Sequence, residues 1–244
     1  MDKILEINEL SIKFDMVTAV DNVTAAFSAG EMTGIIGANG AGKTTLFNLI
    51  TGYLLPSGGS IKLAGENIVG LNPHQLVQKG LARSFQVAQV YMDFSLLENL
   101  LISLATRDRA FLSFYHPLDI KERKDEALEL LNLFDLAAET EKLVSEIAEG
   151  DRKILDVCMA FALKPKILLL DEPTSGVSTD EKFQVMETLV GGLSKTNVTT
   201  ILIEHDMEII ERFASRVLAM DQGKLIADGP TSEVINVISS KNVE

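Results

Sequence analysis

Apolar and polar residues alternate along positions 4–11 and again along 17–26, the period of strands with one buried face; the first reads as an edge strand. A short, mostly apolar run at 32–36 ends in a glycine-rich turn. Residues 44–51 then read as a helix, stopped by Gly52 and the breaker cluster Leu55-Pro-Ser-Gly-Gly59. Positions 61–64 form another short strand. Asn72, followed by Pro73, is a cap with proline at the first helical position, opening a helix closed by Gly80. A strand at 81–85 ends in Gln86.

From about 87 to 164 the pattern changes, because apolar residues recur at helical spacing over 96–105, 122–134 and 152–163 and strand-like runs are absent. This predicts a helical lobe, with the charged stretch 121–126 as a solvated helix face. Two continuous apolar runs follow, 167–170 and 198–203, which fit strands buried on both faces as in a parallel sheet. Residues 217–220 and 224–227 flank Asp221-Gln-Gly223, a hairpin turn, and 231–239 close as a capped helix. No internal repeat and no low-complexity segment is visible.

Composition narrows the function. With 244 residues, 46% of them hydrophobic, a large core can form without disulfides or metals. The single cysteine, Cys158, lies between Val157 and Met159 and reads as a buried small hydrophobe; it fits a reducing cytoplasm. No secretion signal is evident, and no apolar run approaches the ~20 residues that cross a bilayer. Work at a membrane would need a span from another chain. The net charge of −13 argues against a nucleic-acid partner, since phosphate backbones recruit basic faces. A nucleotide is still permitted, because local dipoles, one lysine and Mg²⁺ hold it rather than net charge.

Gly37-Ala-Asn-Gly-Ala-Gly-Lys43-Thr44 satisfies the phosphate-loop pattern G-x-x-x-x-G-K-[ST], and it lies between a strand and a helix as that pattern requires. Gly37, Asn39, Gly40, Ala41 and Gly42 let backbone N–H groups point inward as an anion nest. Lys43 then reaches the β- and γ-phosphates, Thr44 can place its hydroxyl on Mg²⁺, and Thr45 is placed for the α-phosphate. The run 167–170 terminates in Asp171-Glu172-Pro173, where Asp171 is placed to hold Mg²⁺ and Glu172 to accept a proton from attacking water. Pro173 keeps Glu172 out of helical geometry. The run 198–203 ends in Glu204-His205-Asp206. Ligands of open α/β sheets bind at the carboxyl ends of strands, so Lys43, Gln86, Glu172 and His205 are expected to converge on one phosphate.

That order of phosphate loop, strand-end glutamine, helical lobe, Asp-Glu-Pro-Thr and strand-end histidine resembles the nucleotide-binding subunits of ABC transporters, from about Ile4 to Ile238. The resemblance implies an α/β fold: a P-loop NTPase core of mainly parallel sheet, an antiparallel β edge subdomain and an inserted helical lobe. Residues 1–86 and 165–244 would form the nucleotide-binding core with its β subdomain, and 87–164 the helical subdomain. Within the superfamily, Asn72-Pro-His-Gln75, the segment from Gly80 to Gln86 and an insert around Arg107 to Lys124 resemble the branched-chain or hydrophobic amino-acid uptake group; urea and short-amide importers look closely similar.

Further roles follow from the resemblance. Phe14 would stack on adenine, a strand-core position being its plain alternative. Gln86 would sense Mg²⁺ and the γ-phosphate and couple them to a transmembrane permease, and His205 would position the γ-phosphate and water. Two cassettes would close head to tail over two ATPs. The chain would lie in the cytoplasm, peripheral on the inner face of the cell membrane, with a solute-binding protein acting indirectly.

The signature Leu-Ser-Gly-Gly-Gln aligns with Ile147-Ala-Glu-Gly-Asp151, which retains only Gly150 and puts Ala148 where the serine would face a phosphate. Asp151 would oppose that phosphate unless it points away or pairs with Arg152 or Lys153. Ser178 also departs from the usual Ser-Ala-Leu-Asp loop. Either this chain's ATP depends on a different subunit's signature, in a heterodimer of unequal sites, or these loops have drifted harmlessly. Val90, Tyr91, Met92 and Phe94, within 87–97, form an adaptable permease-docking surface or simply core. A soluble ABC ATPase acting on ribosomes or DNA would carry two nucleotide domains, long coiled coils or basic extensions. A kinase or GTPase would leave Gln86, Asp171-Glu-Pro-Thr174 and His205 unexplained.

Overall fold

The computed structural model describes residues 3–84, 86, 88–108 and 120–241. The chain opens with β1 (Lys3–Phe14), β2 (Val17–Ser28) and β3 (Met32–Ile36), then α1 (Lys43–Ile50), β4 (Gly58–Leu63) and β5 (Glu66–Asn67). Next come α2 (Pro73–Gln78), β6 (Leu81–Ser84), and the helices α3 (Leu96–Arg107), α4 (Lys121–Leu133) and α5 (Glu149–Phe161). The final stretch is β7 (Ile167–Asp171), α6 (Thr179–Leu193), β8 (Thr199–Ile203), α7 (Met207–Phe213), β9 (Arg216–Asp221), β10 (Lys224–Pro230) and α8 (Thr231–Lys241). Phe85, Val87 and much of the insert around 107–124 lie outside the described residues.

An antiparallel sheet takes the order β2-β1-β4-β5, and a second, six-stranded sheet the order β10-β9-β3-β8-β7-β6. Strands β9, β3, β8, β7 and β6 run parallel, and β10 returns antiparallel through a hairpin in which Gln222 (φ +45°) and Gly223 (φ +80°) take left-handed geometry. One expectation is corrected: β1 is an inner strand, flanked by β2 and β4. Alternation reports which face is buried and is silent about how many neighbours a strand has. The inward positions Leu5, Ile7, Leu10 and Ile12 slip by one residue where Glu9 adopts φ +48° and the register shifts.

The buried parallel strands feed two cores by strict alternation. Leu168, Leu170, Leu202, Val217 and Ala219 join one core with the leucines of α3, with Leu155 and Cys158 of α5 and with Leu189 of α6. Ile167, Leu169, Ile201, Ile203 and Leu218 join the other, with Phe47 and Ile50 of α1 and the inner face of the antiparallel sheet. Both faces are thus dry, which is why 167–170 and 198–203 carry no polar alternation. Cys158 is fully buried, and burial pushes its thiol up from the ordinary range, leaving an inert packing residue. Asn72 caps α2 with a reciprocal box: its side chain accepts from Gln75 N at 3.0 Å and its own N–H donates to Gln75 Oε1 at 3.0 Å. Because β3, β6, β7 and β8 are parallel, their carboxyl ends open on one edge of the sheet.

Candidate functional site

At that edge β3 passes through the glycine loop into α1. Gly42 caps α1 at φ +100°, and a Cβ there would stand 2.4 Å from the Ala19 carbonyl oxygen. At Gly37 (φ +153°) a Cβ would stand 2.2 Å from the Met220 carbonyl oxygen. Only glycine lets the loop pass between these backbones. The first turn of α1 carries no acidic residue, so no carboxylate of the helix itself opposes an anion at its N–H groups. Lys43 Nζ donates to the carbonyls of Gly37 (2.7 Å) and Ala38 (3.2 Å), folded back onto its own loop. Burial lowers its ammonium from the usual lysine range, against the opposing pull of Glu172 and Asp171. A cavity of 410 Å³ lies over the loop, walled by Asn39, Gly40, Ala41, Gly42, Lys43, Thr44 and Thr45, by Thr18 and Ala19, and by Glu172 and His205.

Asp171 ends β7 buried, in an ion pair with Arg83 of β6, and Arg83 also donates to Asn48 Oδ1 at 2.7 Å. Glu172, the next residue, has φ +50°; the expected escape from helical geometry before Pro173 therefore takes left-handed form. Its N–H donates to the Ile203 carbonyl at 2.9 Å, which turns the side chain toward β8. Both carboxylate oxygens are engaged: Oε2 accepts from Gln86 Nε2 at 2.6 Å, and Oε1 lies 2.6 Å from His205 Nε2. Glu204, buried at the end of β8, accepts from Thr174 N (3.1 Å), Thr174 Oγ1 (2.6 Å) and His205 N (3.1 Å), tying the two strand ends together. Gln86, Glu172 and His205 thus meet as expected, beside the wall that carries Lys43.

Other expected residues stand apart. Phe14 is exposed on β1, and that side of the cavity is walled by Val17, Thr18 and Ala19 instead. Ala148, the N-cap of α5, and Gly150 line a separate cavity of 250 Å³ with Asp135 and Glu181. Gly150 is held there by packing, since a Cβ would lie 2.9 Å from Val185 Cγ2. Asp151 pairs with neither neighbour: Arg152 bonds Glu149 at 3.2 Å, and Lys153 is turned toward Gln86 and Ser175. Burial first, then Glu139 and Glu181, push the Asp151 carboxyl up. Tyr91, Met92 and Phe94 are exposed, the two rings edge-on at 5.8 Å, so these three are surface rather than core.

Sequence reasoning gave no role to Arg83, nor to Thr174 and Glu204 within their strand-end motifs. The available signal for Arg83 was a cation inside an apolar strand, and for Glu204 a carboxylate at the end of one. Among the described residues no group of three or more His, Cys, Asp and Glu could hold a metal alone. The oxygen donors Thr44 and Asp171 instead suit a hard cation whose remaining ligands are phosphate oxygens and water.

Residues 20–175 match the ABC transporter family. The chain is 33% identical over 238 residues to the high-affinity branched-chain amino acid transport ATP-binding protein BraF of Pseudomonas aeruginosa, covering 95% of this chain and 93% of that protein. It is 30% identical over 239 residues to the corresponding protein LivG of Escherichia coli, covering 96% and 94%. Among solved structures it resembles a nucleotide-free ATP-binding cassette from an ABC transporter, with a TM-score of 0.86, 28% identity and 98% and 96% of the two chains covered. The ADP conformation of the cassette MJ1267 is similar at a TM-score of 0.86 and 27% identity, again over 98% and 96%.

Proposed function

This chain belongs to the ABC transporter family of ATP-binding, ATP-hydrolysing subunits, and on that premise we propose that it powers an importer of branched-chain or other hydrophobic amino acids. The observation that carries the hydrolytic part is Glu172, held between Gln86 and His205 at the wall of the cavity that contains Lys43. In this reading the α1 amides and Lys43 bind the β- and γ-phosphates, and Thr45 binds the α-phosphate. Thr44, Asp171 and Gln86 would hold Mg²⁺, which would offset the negative charge of the phosphate oxygens. Glu172 takes the proton of the attacking water, and His205 orients that water and the γ-phosphate. Lys43, now on two carbonyls, swings to the phosphates. Phe14 stacks on adenine from the β1 end.

The relatives' names support the solute class, and the exposed Tyr91, Met92 and Phe94 support a permease surface. In the same proposal, 1–86 with 165–244 form the nucleotide-binding unit and 87–164 the lobe holding α3, α4 and α5. Ala148 and Gly150 face the nucleotide of a second cassette, whether the same chain or a different one. The complex sits on the cytoplasmic face of the cell membrane, and a solute-binding protein delivers to the permeases. No helix of the described residues is long and apolar enough to cross a membrane. The test is reconstitution with the permeases in vesicles: ATP-dependent leucine uptake, competed by isoleucine and valine, is expected. ATP-dependent uptake of urea or a short amide, and not of leucine, would replace the solute.

A further inference from the structure

Lys153 is 3% exposed, on the turn of α5 that faces Gln86. Its ammonium donates to the Gln86 carbonyl and, at 3.2 Å, to Ser175 Oγ. Ser175 closes the turn that carries the carboxylate, its N–H donating to the Glu172 carbonyl at 3.0 Å, and its hydroxyl donates to the Gln86 carbonyl at 3.3 Å. Among the described residues no carboxylate lies within ion-pair distance of Lys153. Burying an ammonium among neutral acceptors is costly, and an apolar side chain would fill a merely structural position at less cost. One helical turn on, Asp156, also buried, accepts from Gln89 N at 2.8 Å. The same face of α5 therefore grips the Gln86 segment by a carbonyl at one point and an N–H at the next.

We propose that Lys153 is a positioning residue for ATP hydrolysis: from α5 it holds the Gln86 carbonyl on one side of the Gln86–Glu172 contact and the Ser175 hydroxyl on the other, and so sets the Gln86 amide on the carboxylate. This rests on the functional reading above, in which Glu172 is the base.

The test compares the full chain with K153M, K153R, Q86A and the double variant K153M/Q86A. K153M is expected to lower kcat by between about 10- and 100-fold, the scale of a misplaced catalytic group. KM for ATP should stay within about threefold, and K153R should recover most of the rate. Because Lys153 acts through Gln86, adding K153M to Q86A should lower kcat by less than about threefold more. Hydrogen exchange supplies a readout independent of turnover: K153M should speed exchange at Gln86, Gln89 and Ser175 while the amides of β7 and β8 stay protected. Parental turnover by K153M, full multiplication of its effect onto Q86A, or unchanged exchange at those three amides would each overturn the proposal. A parent chain that binds no ATP would instead refute the functional reading, and the exchange data would still decide the role of Lys153.

Discussion

Replacing Glu172 with glutamine separates chemistry from architecture. The carboxylate accepts from Gln86 Nε2 at 2.6 Å through one oxygen and meets His205 Nε2 at 2.6 Å through the other. A glutamine amide keeps an acceptor for Gln86. It also presents an N–H to His205, which can accept in the tautomer protonated at Nδ1. Both contacts survive, so ATP affinity and the thermal midpoint should be nearly parental. Proton acceptance from water is lost. General-base catalysis is worth about 10²–10⁴ in rate, so kcat should fall by that factor, or roughly 3–5 kcal/mol of barrier. Phosphate release under saturating ATP, with binding of a fluorescent ATP analogue measured in parallel, reads both effects. An E172Q variant with more than about a tenth of parental turnover would place the base elsewhere, because even the low end of that range exceeds tenfold. Simultaneous loss of binding would make Glu172 structural.

Further consequences can be checked on stability. G42A forces a Cβ to within 2.4 Å of the Ala19 carbonyl oxygen at φ +100°. It should lose about 1–3 kcal/mol in a urea titration, and nucleotide affinity with it; parental behaviour in both would contradict the close passage of these backbones. R83M leaves Asp171 buried without its cation and should cost about 3–5 kcal/mol, with R83M/D171N milder, by the same titration. The Arg107 guanidinium, followed by Lys164, holds the Glu126 carboxyl down to about 2 from 4.5. Since the folded value is the lower one, this pair's contribution is complete above 4.5 and lost as pH falls toward about 2. E126Q should flatten the urea midpoint against pH across that window and leave its slope at neutral pH alone.

Much of this site was legible because its parts are local. The glycine spacing, the Asp-Glu-Pro at one strand end and the histidine at another each needed only neighbouring residues to be recognised. Parallel-sheet topology then brought them together, as the unbroken apolar runs at 167–170 and 198–203 implied. What escaped is long-range. The Arg83 bond to Asp171 spans 88 positions and the Glu204 bond to Thr174 spans 30, and neither partner announces the other. Helices α6 and α7 went unremarked, although Val185, Met186, Leu189 and Leu193 keep a helical spacing on the buried side of α6. The inner place of β1 depended on a hairpin 50 residues on, with Ser11 pairing near Gly58, which no alternation within β1 encodes.

The most direct measurement is a structure of E172Q with bound Mg²⁺ and ATP. The γ-phosphate is expected within hydrogen-bond reach of Lys43 Nζ, about 2.7–3.2 Å, with residue 172 and His205 on its far side and the metal beside Thr44 and Asp171. Lys43 still folded onto Gly37 and Ala38, with the nucleotide lodged away from the strand ends of β7 and β8, would contradict a single ATP site built from these elements.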